Sequence, residues 1–90
     1  MERAVVTVIG KDRVGIVANI SAILAAHNVN ILDISQTIMQ DLFAMLMLVD
    51  ISNSDVDLSQ LRKELEAKAQ ELGLQVIVQH EDIFRYMHRI

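Results

Sequence analysis

Cysteine is absent from these 90 residues, so neither a disulfide framework nor a thiolate metal site can form. Aromatic side chains make up only 3% of the chain, too few for a base-stacking platform. Basic residues are also sparse: eight Lys and Arg, scattered along the chain, face twelve Asp and Glu, for a formal net charge of −4. Nonspecific nucleic-acid affinity comes mainly from clustered Lys and Arg, so no nucleic-acid partner is expected. No window approaches the roughly 18 uninterrupted apolar residues that a membrane span needs. The opening MERAVVTVIG is too short for a signal-peptide core and leads to no small-residue cleavage site. A soluble cytoplasmic protein with no membrane partner is the expectation.

Catalytic and metal patterns are missing as well. His27, His80 and His88 have no short metal-ligand spacing, and no Ser/His/Asp or paired-carboxylate arrangement is evident. Gly10 and Gly15 share the spacing of a phosphate loop's glycines, but Ile16 and Val17 stand where that loop needs Lys and Ser or Thr. No enzyme activity, metal or cofactor is therefore expected.

The chain does have apolar residues in abundance, 52% of the total. Ninety residues make one domain's worth of chain, and at that size folding buries roughly 60–65% of the exposed surface. Stability is expected to lean on self-association, with a homodimer as the simplest form. Residues 1–90 are read as one domain, with a core over 3–80 and a tail helix over 81–90.

In chain order, Val5, Val6, Thr7, Val8 and Ile9 form a β-branched run that predicts a buried strand ending at Gly10. After the loop 11–14, Ile16, Ile20, Ile23, Leu24 and His27 recur at helical spacing from Gly15 onward. Asn28 suits the left-handed position that ends such a helix. From Ile31 to Gln40 the pattern alternates, with Leu32, Ile34 and Ile38 on one side and Asp33, Ser35 and Thr37 on the other. Gln40–Asp41 reads as a tight turn. Residues 42–51 are apolar on both faces, so something beyond the helix layer must cover this strand: the tail or a second subunit.

Asp57 precedes a second helix as its cap, Leu58, Leu61, Leu65, Ala69 and Leu72 mark its inner face, and Gly73 closes it. Leu74, Val76 and Val78 then alternate with Gln75, Ile77 and Gln79 in a fourth strand. Strand, helix, strand, strand, helix, strand is the split β-α-β, ferredoxin-like plan of the α+β class. It predicts an antiparallel sheet of order 4-1-3-2 with both helices on one face.

The residues Gly10-Lys11-Asp12-Arg13-Val14-Gly15-Ile16-Val17, then Asn28-Val29-Asn30-Ile31 and the Leu72-Gly73-Leu74 step, closely resemble ACT domains, small amino-acid-sensing regulatory modules. Asp82-Ile83-Phe84 near the end resembles the tail of the short stand-alone bacterial and archaeal members (UPF0237-like). The resemblance implies an amino acid or related metabolite bound between subunits near the first loop, and action through a partner protein. Matched position by position, the implied contacts are Asp12, Gly15 with Ile16, and Asn30, the last brought alongside by the second strand. Val14 stands where the family usually has proline, and His27-Asn28 where it usually ends the helix with glycine.

Each of these residues also has a plainer role. Asp12 either faces a ligand ammonium or caps the first helix and occupies its N–H groups. Asn30 suits an ordinary turn, and Gly15 suits close packing of the loop. Lys11 and Arg13 either attract an anion or are simply solvated. Two other functions remain open: a ligand-free structural or interaction dimer, and an acylphosphatase-like hydrolase, whose phosphate-cradling loop this sequence fits poorly despite Arg13.

Overall fold

A computed structural model describes residues 1–87. The elements are β1 (Arg3–Lys11), α1 (Ile16–Ala26), β2 (Asn30–Met39), β3 (Leu42–Asp50), α2 (Leu58–Leu72), β4 (Leu74–His80) and α3 (Glu81–Met87). The four strands form one antiparallel sheet in the order β2-β3-β1-β4, the expected ferredoxin-like arrangement. The last three positions of the expected tail helix lie outside the described residues.

Helical periodicity decides which faces are buried. Ile16, Ile20 and Leu24 in α1 and Leu61, Leu65 and Ala69 in α2 recur every fourth residue and form one apolar stripe per helix. They close over Ala4, Val6 and Val8 of β1, Phe43, Met45, Met47 and Val49 of β3, and Val76 and Val78 of β4. The period-two alternation of the strands supplies these residues from a single face of the sheet.

The helix ends are set locally. Asp57 accepts from the Gln60 N–H at 2.8 Å and caps α2, and Gly73 ends that helix at φ 71°. At the end of α1, Asn28 takes φ 61°, its N–H donates to Ala25 and that of Val29 to Leu24, forming a Schellman motif without glycine. Gln40 carries φ 60° at the first position of the β2–β3 turn, the sign pattern of a type II′ hairpin.

Two strand expectations need correction. β1 does not end at Gly10 but continues to Lys11, paired with Leu42. A Cβ at Gly10 would lie 2.6 Å from Leu74 Cδ2 and 3.3 Å from Leu74 Cα, so this glycine lets β4 pass close by. In β2 the alternation is broken by a bulge: Ile31 pairs with Val49, but Asp33, not Leu32, pairs with Leu48. Beyond the bulge, Asp33, Ser35 and Thr37 share the open face with Leu48, Leu46 and Ala44, their partners on β3.

That open face is covered only in part. The ion pair from Glu81 to Arg3 of β1 holds α3 against one end, and Val5 beneath it is 5% exposed. Toward the other end Ile9, Met39, Leu42, Leu46 and Ile77 stay exposed, with Met39 at 59%. The tail therefore meets half of the expectation that strand three is covered on both sides.

Candidate functional site

The turn into α1 combines a left-handed glycine with an open helix end. Gly15 sits at φ 91°, and no side chain caps the helix it starts. Its carbonyl is held twice by Asn19, through the backbone N–H at 2.9 Å and through Nδ2 at 2.7 Å. The first N–H groups of a helix have no intrahelical acceptor, so this end presents donors and the positive end of the helix dipole. Ile16 is buried, so its side chain belongs to the core and only its backbone N–H is on offer.

Asp12 does not take the capping role. Its backbone N–H donates to the Asp41 carbonyl at 2.7 Å, which ties the loop to the β2–β3 turn and leaves the residue exposed. Arg13 is exposed, as expected of a solvated loop charge, and its Nη1 also donates to the Leu72 carbonyl at 2.9 Å, so the cation sits at the C-terminus of α2. The loop is thereby fastened on both flanks, to the hairpin turn by Asp12 and to α2 by Arg13.

Asp12, Gly15 and Ile16 are brought together; Asn30 is not. α1 runs eleven residues away from the loop, about 16 Å at 1.5 Å per residue, before β2 begins. Asn30 pairs with Asp50 at the far end of the sheet. There it joins Asn28, Asn53 and Asp50 around an open polar hollow. Within one chain the second strand carries Asn30 away from the loop, contrary to expectation.

Two charged clusters lie outside this set. His27 is clamped by two carboxylates, Nδ1 to Asp55 and Nε2 to Glu64, each at 2.7 Å. The hydrogen bond to Glu64, followed by that to Asp55, raises the imidazole pKa above 6.5 and lowers that of Glu64. At the start of α3, the Arg3 guanidinium beside Glu81 holds this carboxyl below its ordinary value, with Arg85 adding to the effect. The contacts that close each cluster join residues 28 to 78 apart, so only the Glu81–Arg85 pair, four apart on α3, has a local signal. Asn19 was also missed, although a polar residue one turn inside a helix is a fair pointer to the loop before it.

The antiparallel β-α-β-β-α-β sandwich hosts many unrelated functions, so the fold alone does not assign one. Residues 2–79 match the ACT domain, and the chain belongs to that family. Over all 90 residues, covering both chains completely, it is 71% identical to a UPF0237 protein of Methanocaldococcus jannaschii. Among solved structures, an ACT domain protein from Streptococcus pneumoniae superposes with a TM-score of 0.80 at 41% identity, over 92% of this chain and 93% of that one. A formyltetrahydrofolate deformylase from Pseudomonas syringae has a TM-score of 0.82 at 27% identity, over 89% of this chain and 28% of the other. No described helix is long and apolar enough to cross a membrane.

Proposed function

We propose that this protein is a non-enzymatic sensor that binds an amino acid or related small metabolite across a homodimer interface and passes the signal to a partner protein. The observation that carries this reading is the uncapped start of α1, with the exposed Asp12 beside it and the whole loop tied to the β2–β3 turn. A carboxylate fits the free N–H groups at Gly15 and Ile16, and an ammonium fits Asp12.

The separation of Asn30 supports a dimeric form of the site. β2 is an edge strand exposed along nearly its whole length, with Ile34 and Ile38 among its exposed apolar residues. Two copies paired along it about a two-fold axis at Ile34–Ser35 would set Asn30 of the second copy opposite Met39. Asp41, two residues on from Met39, is the residue whose carbonyl holds Asp12. The four expected contacts would then converge across the two chains, which no single chain allows.

Calorimetric titration with each amino acid tests the sensor reading. The expected result is saturable heat with one or a few of them, lost in Asp12→Ala. No heat from any at millimolar concentration rejects it and leaves the ligand-free structural dimer, which the exposed β2 edge favours independently.

A further inference from the structure

The open face of the sheet contains a cavity of about 290 Å³ beneath α3, at the end of the sheet remote from Asp12, Gly15 and Ile16. Its floor is apolar: Val5 of β1 and Leu46 and Leu48 of β3. Phe84 of α3 forms a further apolar side. A volume near the lower end of the ~300–1,000 Å³ range for small-molecule pockets fits a compact ligand with a short aliphatic part.

Charges of opposite sign enter from opposite sides. On the strand side stands Asp33, which reaches this face only because of the bulge at 31/33. Without the extra residue Asp33 would pair with Met47 on the opposite, helix-covered face, so the bulge re-aims one carboxylate onto the cavity rim. Its Oδ1 accepts from the Ile34 N–H at 2.9 Å, and Asp33 remains exposed. On the helix side, the Glu81 carboxylate is shared by two guanidiniums, Arg3 and Arg85, so this cluster carries one net positive charge. Arg85 itself lines the cavity, and its side chain is 69% exposed. α3 lies over β1 and β4, while β2 is two strands from β1, about 10 Å away at the backbone. Asp33 and Arg85 line the cavity from these two sides.

We propose that this cavity is a second binding site, distinct from the loop site, for a small zwitterion with a branched aliphatic side chain. The ammonium sits on Asp33, the carboxylate on Arg85, and the side chain on Val5, Leu46 and Leu48. The three features act together: an apolar floor alone would take any hydrocarbon, whereas the opposed charges select a molecule carrying both signs.

The test uses L-leucine as probe, with amide resonances of the full-length protein as readout. Expected are shifts at Val5, Asp33 to Ser35, Leu46 to Leu48 and Phe84. Binding should weaken about tenfold or more in Asp33→Asn, as follows from loss of a charge-assisted hydrogen bond. The analogue 4-methylpentanoic acid, which lacks the ammonium, should bind equally to wild type and Asp33→Asn; 3-methylbutylamine, which lacks the carboxylate, should be equally indifferent to Arg85→Gln. Asp33 is on β2 and takes no part in docking α3, so its variant separates ligand contact from loss of the helix. The proposal is overturned if leucine at tens of millimolar moves none of these amides. Movement of the amides of Asp12 to Ile16 alone, or equal affinity in Asp33→Asn, overturns it too. Loop-site failure is scored separately, by Asp12→Ala.

Discussion

The backbone N–H of Asp12 donates to the Asp41 carbonyl at 2.7 Å, so the loop before α1 is stitched to the hairpin turn rather than folded back over the helix. A residue held in that way leaves the helix end open, and its side chain contributes nothing as a cap. Loss of a true N-cap costs ~0.5–2 kcal/mol, whereas exposed substitutions away from such features stay within ~0.5 kcal/mol. Asp12→Ala is therefore expected to leave urea-unfolding stability within that narrower range while removing ligand binding. A loss of stability near 1–2 kcal/mol would restore the capping role.

Gly15 has the opposite profile. At φ 91° any L side chain is strained, although the space around it is nearly open, the nearest neighbour of an added Cβ being Asn19 Nδ2 at 3.3 Å. Gly15→Ala should cost ~1–2 kcal/mol through backbone strain. For a domain of this size that lowers the Tm by roughly 4–16 °C, at ~4–8 °C per kcal/mol. Calorimetry checks this, and an unchanged Tm would mean that the loop relaxes to another conformation.

What was legible in the sequence is what depends on neighbours in the chain. The caps at Asp57, Asn28 and Gly73 and the alternation in residues 42–50 all follow from residue type and local period, and all hold. The continuation of β1 through Gly10 was hidden because its cause is Leu74, on another strand. The bulge was hidden because Leu32 fits the alternation with Ile34 and Ile38 until the pairing with β3 is known. Arg13 found its acceptor 59 residues away, at the end of α2. The separation of Asn30 from Asp12 was different: the length of α1 was readable, and counting its rise would have put the two at opposite ends.

The free β2 edge makes the dimer reading vulnerable to a single charge. Ile34 is 38% exposed and lies at the centre of the strand, so Ile34→Lys leaves the core intact and sets two like charges close to the two-fold axis. Sedimentation equilibrium is expected to show a dimer for wild type and a monomer for the variant. A variant that stays dimeric would move the interface elsewhere, first to the exposed apolar end of the open face around Met39, Leu42 and Leu46.

Glu81 ties α3 to β1 through Arg3, which also keeps the Glu81 pKa below its ordinary value of 4.5. A depressed carboxyl pKa contributes stability above the unfolded value and loses it as pH falls through the folded one. α3 amides should therefore be protected from hydrogen exchange near neutral pH and lose protection in acid, whereas in Glu81→Gln protection should be low throughout. Equal protection in the two proteins would assign the docking of α3 to Phe84 instead.

His27 joins the end of α1 to α2 and to the loop before it, through Glu64 and Asp55 at 2.7 Å each. Its folded pKa is raised above 6.5, first by Glu64 and then by Asp55. The imidazolium therefore stabilises the fold fully below the unfolded value and less as pH rises through the higher folded one. Glu64, lowered chiefly by His27, sets the acid limit, because its contribution is lost as pH falls through its own folded value. The stability advantage of wild type over His27→Gln should thus be greatest in mildly acidic solution and shrink on both sides. Urea unfolding of both proteins across the pH range measures it. A constant difference would mean that His27 serves by packing and neutral hydrogen bonding, and that its charge contributes nothing to the junction.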